Sequence, residues 1–167
     1  VEGAEDEAII RAACQRAGMP LDRAGVAVVQ TRGKRSIPLM VAFLTQAGVP
    51  CYPLFDLDRD KNNKSEQNRG AERELMIVLG EDASTSLETT DVTRVYACFE
   101  HNLGATVARE LGEQYAEALQ TASEDLGFAL KQGRKVAPVL RRALETVSEA
   151  GLESDTLQRL VDVVGAL

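Results

Sequence analysis

Up to about residue 100, short apolar runs of strand length alternate with stretches of helical periodicity; beyond that point strand signals stop. This alternation constrains the fold more than any other feature. In 5–17, Ala8, Ile9, Ala12 and Ala13 recur at helical spacing, and Gly18 and Pro20 end the pattern. The β-branched run 25–30 suits a buried strand. Helical spacing returns over 36–46 through Ile37, Met40, Val41 and Leu44, with Pro38 tolerated in the first turn. A strand follows at 49–55, a helix at 68–79, a polar turn-rich stretch at 81–91 and a further strand at 94–99. Strands that alternate with helices imply βαβ units and a mostly parallel sheet. The residues Val1-Glu2-Gly3 read as the tail of one more strand.

After Glu100 the periodicity is helical throughout, over 103–111, 113–130, 136–149 and 154–164, with breaks at Gly112, at Gln132-Gly133 and at Gly151. The expected organisation is an α/β domain over 1–111 and a helical subdomain over 112–167. The abrupt start at Val1 leads us to expect an excised C-terminal region of a longer protein.

The composition removes several classes of chemistry. Three cysteines (Cys14, Cys51 and Cys98) lie far apart and form no CxxC pair, and His101 is the single histidine, so the spacing argues against a four-ligand Cys/His zinc site. Triad chemistry would rest on His101 alone. No run approaches the ~20 apolar residues of a membrane span, and the acidic opening lacks the basic and apolar regions of a signal peptide; a cytoplasmic location is the expectation. A formal net charge of −7 argues against a simple basic DNA-coating domain. Between Arg32 and Arg73, however, eight basic residues stand against five acids, three of which are packed into Asp56-Leu57-Asp58-Arg59-Asp60. A carboxylate knot in a basic surround suits metal ions and a polyanion. It also suits a plain solvated loop.

The acids fall where parallel sheets place ligands, just beyond the carboxyl ends of strands. Asp56 and Asp58 are two apart at the end of one predicted strand, so an extended backbone sends both carboxylates to one side. Glu2 and Glu100 end two others. Asp6 falls in the first turn of a helix, where a negative charge is favourable in any case. Gathered carboxylates repel one another unless cations compensate, and a divalent metal is the simplest compensation.

Glu2 to Glu7, then Gly33-Lys34, then Phe55-Asp56-Leu57-Asp58 together resemble a Toprim domain, the metal-binding fold of topoisomerases, bacterial primases and related nucleases. The wider spacing is similar to that of the OLD (overcoming lysogenization defect) family, whose members join an N-terminal ABC-type ATPase to a Toprim nuclease region. The resemblance implies a metal-dependent DNA endonuclease, a hydrolase that uses two Mg²⁺ or Mn²⁺ ions. By position, Glu2 and Asp6 would hold one ion, Asp56 would bridge, and Asp58 with Glu100 would complete the second site. Glu2 and Asp56 would thereby be catalytic. Asp60 is either a further acid of the site or a partner for Arg59. The family also uses a lysine near the scissile phosphate, for which Lys135 is the candidate and Lys131 its rival; a solvated surface lysine is the ordinary reading of either. Lys34 and Arg35 suit contacts to DNA phosphates or plain surface charge. Cys98, two residues before Glu100, reads as a packed core thiol. Implied partners are DNA and the ATPase domain of the same full-length protein, through which alone ATP would act; a homodimer is left open. Two other readings stand beside this one: a phosphoacceptor receiver-like domain with Asp56 as acceptor, and a non-catalytic regulatory or dimerisation module.

Overall fold

The computed structural model describes residues 1–59 and 65–167. They gather into two units. One comprises Val1–Gly3, Gln30–Leu103 and Leu167, and the other Ala4–Val29 and Gly104–Ala166.

The first unit is built on a small mixed sheet of order β1-β3-β2, from β1 (Leu54–Asp56), β2 (Asp91–Val92) and β3 (Ala97–Phe99). β1 and β3 are parallel, with Leu54 opposite Ala97, Phe55 opposite Cys98 and Asp56 opposite Phe99. β2 is antiparallel to β3. A helix lies between the two parallel strands in the chain, as a crossover demands. Alongside the sheet are a short 3-10 turn (Lys34–Ser36), α3 (Ile37–Gln46) and α4 (Ser65–Leu79). Ile37, Val41, Phe55, Leu57, Leu75, Met76, Tyr96 and Cys98 form the core. All three residues of β3 are buried.

The α/β character expected from the sequence is present, but the sheet is smaller and less parallel than expected. Pro50 and Pro53 have no N–H to donate to a ladder, and the strand expected at 49–55 is confined to Leu54–Asp56. The strand expected at 94–99 loses its first half to a turn. Thr93 Oγ1 accepts hydrogen bonds from Val95 N (3.1 Å) and Tyr96 N (3.0 Å), while Thr93 N donates to Tyr96 O (2.9 Å). A hydroxyl that captures backbone donors in this way competes with strand pairing, and it makes β2 and β3 a hairpin. The run 25–30 forms no strand, and neither do residues 1–3. β-propensity favours extension, but a strand also needs a continuous ladder. The backbone bond from Thr31 N to Val1 O (3.0 Å) falls past the end of that run.

The second unit is helical: α1 (Ala4–Arg16), α2 (Leu21–Ala24), α5 (Leu103–Asp125, whose first residue belongs to the sheet unit), α6 (Leu130–Gly133), α7 (Ala137–Glu149) and α8 (Asp155–Val164). α1 packs on α7 and α8, with Ile9, Ala12 and Ala13 buried on its inner face. In α7, Val139, Leu140, Ala143, Leu144 and Val147 keep helical spacing and are all buried. Gly112 has φ 69° and ψ −158°, outside the helical region, and divides α5 into two helical stretches joined at a kink, as expected there. Ser154 caps α8 by accepting from Leu157 N at 3.1 Å. A linear cut at Gly112 and this grouping divide the chain differently, because the apolar face of α1 recruits the N-terminal region to the helices. Among the described residues no helix is long and apolar enough to cross a membrane.

Candidate functional site

The parallel register of β1 and β3 continues past the strands. Leu57 N donates to Phe99 O (2.7 Å) and Arg59 N to Glu100 O (3.2 Å), which brings the backbone around Asp58 beside Glu100. Glu100 N in turn donates to Thr90 Oγ1 (3.1 Å), and its carboxylate faces the His101 ring at 3.9 Å. Glu2 arrives from far along the chain. Its Oε1 accepts the backbone N–H of Asp56 at 2.9 Å, across 54 residues of sequence. A carboxylate on a backbone donor makes a charge-assisted bond, so the N-terminal glutamate is fastened to the first aspartate of Asp56-Leu57-Asp58.

Asp58 has φ 54°, in the left-handed region. Aspartate tolerates that conformation better than most residues, yet it still costs of order 1 kcal/mol. Polar contacts of its side chain accompany it there. Asn68 Nδ2 donates to Oδ2 at 3.3 Å, and Lys34 Nζ stands 3.7 Å from the same oxygen. Lys34 is 5% exposed and has its shorter contact, 3.1 Å, with Glu72 Oε1. The other Glu72 oxygen takes Arg59 Nη2 at 2.8 Å. Arg59 also donates to the carbonyls of Leu57 and Leu87 and pairs with Glu88 at 3.3 Å. Lys34, Asp58, Arg59 and Glu72 thus form a chain of alternating charge, most of it buried.

The predicted site residues are distributed as follows. Glu2, Asp56, Asp58 and Glu100 share the sheet unit, at the same end of β1 and β3. Lys34 joins them, but inward: its ammonium is committed to carboxylates, a different placement from the surface phosphate contact expected of it. Arg35 is exposed. Asp6, in the first turn of α1, belongs to the helical unit, as do Lys131 and Lys135, both exposed. There, burial raises the carboxyl pKa of Glu5, the neighbour of Asp6; Arg134 and Lys135 oppose the rise, whereas the charge of Asp6 adds to it. Lys135 therefore senses the same helix end that carries Asp6. Asp60 lies outside the described residues. Cys98 is fully buried, its thiol pushed up to about 11 by burial, consistent with a core thiol.

Sequence reasoning missed Glu72 and Asn68, although a signal was present. On α4, residues 68, 71, 72, 75 and 76 form one face, on which Ala71, Leu75 and Met76 are core. Two polar residues at core-facing positions of an amphipathic helix need partners, and here the partners are Asp58, Lys34 and Arg59.

Carboxylate oxygens are the donors a hard divalent cation takes, so the chemistry of the set suits Mg²⁺ or Mn²⁺. The gathering does not: among the described residues no three acidic, histidine or cysteine side chains come together as a ligand group. Glu2 is turned to a backbone N–H and Asp58 to an ammonium.

Residues 1–58 match the family described as the overcoming lysogenization defect protein-like TOPRIM domain. The match supports an OLD-family Toprim region in this part of the chain. The match contains Glu2, Asp6, Lys34, Asp56 and Asp58 and ends on that last aspartate, so Glu100 and Lys135 fall beyond it. Toprim domains are a metal-binding fold of nuclease- and primase-type enzymes that act on nucleic acid. No curated protein and no solved structure is significantly similar to the chain.

Proposed function

We propose that the chain is the catalytic part of a metal-dependent DNA endonuclease of the OLD family. The observation that carries this reading is the bond from Asp56 N to Glu2 Oε1. It joins the two halves of the Toprim signature, which the sequence separates by more than fifty residues, at one end of the parallel strand pair.

In this reading Glu2, Asp56, Asp58 and Glu100 are metal ligands from the sheet unit, and Asp6 contributes from the first turn of α1. Two bound Mg²⁺ or Mn²⁺ ions supply an activated water and stabilise the leaving oxygen of a phosphodiester. The chain's own residues supply the negative charge that recruits cations. Arg35 contacts backbone phosphate, and Lys135, with Lys131 as the alternative, stabilises charge at the scissile phosphate. The acidic net charge makes DNA affinity weak and salt-sensitive. Positioning then falls to an ABC-type ATPase domain of the full-length cytoplasmic protein, and to a second copy where the protein dimerises.

Supercoiled plasmid incubated with the chain in EDTA, Mg²⁺ and Mn²⁺ tests this. We expect nicking only with metal, reduced on the order of 100-fold or more by Glu2→Ala, Asp56→Ala or Lys135→Ala. Nicking by Asp56→Ala at the unaltered rate would overturn the assignment.

A further inference from the structure

Among the described residues the acids form no ligand group, and the charges around Asp58 supply a local cause. A buried ammonium is costly unless it is paired, and Lys34 meets that demand with two carboxylates, Glu72 at 3.1 Å and Asp58 at 3.7 Å. Glu72 is itself held by Arg59. Lys34 and Arg59 together face three carboxylates, Asp58, Glu72 and the more exposed Glu88 (3.3 Å from Arg59), so Asp58 has a cation beside it without any metal ion. At partly buried sites such charges are weakly screened, so a divalent cation drawn to Asp58 would face the Lys34 ammonium on the same carboxylate.

We propose that Lys34 is a resident counter-cation for Asp58, and that Glu72 is the base onto which its ammonium retreats when a divalent cation arrives. Both are positioning residues, acting through Asp58. Glu72 is already the nearer partner, so the retreat is a small side-chain movement. Arg59 shares Glu72 and tunes its pull: the more of the Glu72 charge Arg59 takes, the more firmly Lys34 stays on Asp58. The proposal rests on the reading of Asp58 as a metal ligand.

It makes an unusual demand, that the two members of one salt bridge act on metal affinity in opposite directions. Lys34→Met keeps most of the buried aliphatic stem and removes the ammonium, so Mn²⁺ should bind about tenfold more tightly. Glu72→Gln removes the refuge and throws Lys34 onto Asp58, so Mn²⁺ should bind about tenfold more weakly. Lys34→Met/Glu72→Gln should resemble Lys34→Met, because with the ammonium gone the loss of Glu72 has no Lys34 charge to throw onto Asp58, while Arg59 keeps Glu88 and the carbonyls of Leu57 and Leu87. If the two residues served only to hold the fold, both single variants would weaken binding together.

The experiment measures Mn²⁺ binding to the full chain by loss of the free-ion electron paramagnetic resonance signal, with Asp56→Ala as control. Circular dichroism confirms that each variant is folded, and the double variant replaces Glu72→Gln if the latter does not fold. Opposite shifts for the single variants, or tightening in both Lys34→Met and the double variant, support the proposal. Wild-type binding lost in Asp56→Ala but unchanged, or weakened alike, in the Lys34 and Glu72 variants overturns this proposal and leaves the metal reading intact. No Mn²⁺ binding by any form overturns both.

Discussion

The sheet unit and the helical unit bury different things. In the helical unit the interior of α1, α7 and α8 is apolar, with Ile9, Leu140, Leu144, Leu157 and Leu160 all nearly inaccessible. Its buried polar groups are small hydroxyls: Ser123 donates to Leu119 O at 2.7 Å, Ser154 caps α8, and Ser154 and Thr156 both donate to the carboxylate of Glu110 on α5. The sheet unit instead buries Lys34, Glu72 and Asn68 beside a core of eight residues. A buried ion pair is poor evidence of stabilisation, since well-packed apolar residues often do as well or better. The comparison teaches that one unit is built for cohesion, whereas the other spends cohesion on holding an aspartate in a left-handed conformation.

That contrast can be broken most forcefully in the helices. Leu140 is 1% exposed, and Leu140→Ala should cost about 2–5 kcal/mol by losing transfer energy and leaving a cavity. Urea unfolding checks this. Mn²⁺ affinity of the remaining folded protein should not move; a change as large as that of a Glu72 variant would erase the distinction between the units.

A smaller effect is expected at Gly133. A Cβ there would run into the buried Ser123 side chain and come within 3.3 Å of Val139 Cγ1. Gly133→Ala should destabilise by about 1–3 kcal/mol through overpacking, detectable as a lower thermal midpoint. An unshifted midpoint would mean that α6 yields freely and that Lys135, two residues on, is loosely held.

The smallest effect sharpens the comparison by pH. Burial raises Glu5 above its ordinary value of 4.5. An acid with a raised folded pKa contributes stability that is present below the unfolded value and lost as pH climbs through the folded one. Glu5→Gln keeps the uncharged form at every pH. The variant should match the wild type in acid and gain a slight advantage toward neutral pH, followed by thermal melts across that range. An advantage of equal size at all pH values would refute burial as the cause.

How much of this was legible in the sequence depends on range. Periodicity of 3.6 and capping residues are local, so 37–46, 137–149 and 155–164 were read nearly to the residue, as was the disturbance at Gly112. Strands depend on partners that the sequence does not name. The runs 25–30 and 94–99 both read as strands, yet only the second contributes one, β3, paired with β1 on one side and β2 on the other. The acids at the ends of β1 and β3 were readable because strand ends are predictable places, and the family match spans residues 1–58, a range that contains Glu2, Asp56 and Asp58. What lay beyond reach was the direction in which Lys34 points. Its Gly33-Lys34 setting suggested an outward phosphate contact. The buried partner that turns it inward, Glu72, comes from a helix 38 residues away.

The central claim is that the Glu2 and Asp56-Leu57-Asp58 carboxylates bind the metal ions. A crystal of the chain soaked in Mn²⁺ tests it through the anomalous difference map. The account predicts Mn²⁺ density against Glu2, Asp56 and Asp58, with Lys34 Nζ withdrawn from Asp58 toward Glu72. Mn²⁺ density found only elsewhere, with Glu2 still on Asp56 N and Lys34 still on Asp58, would contradict it.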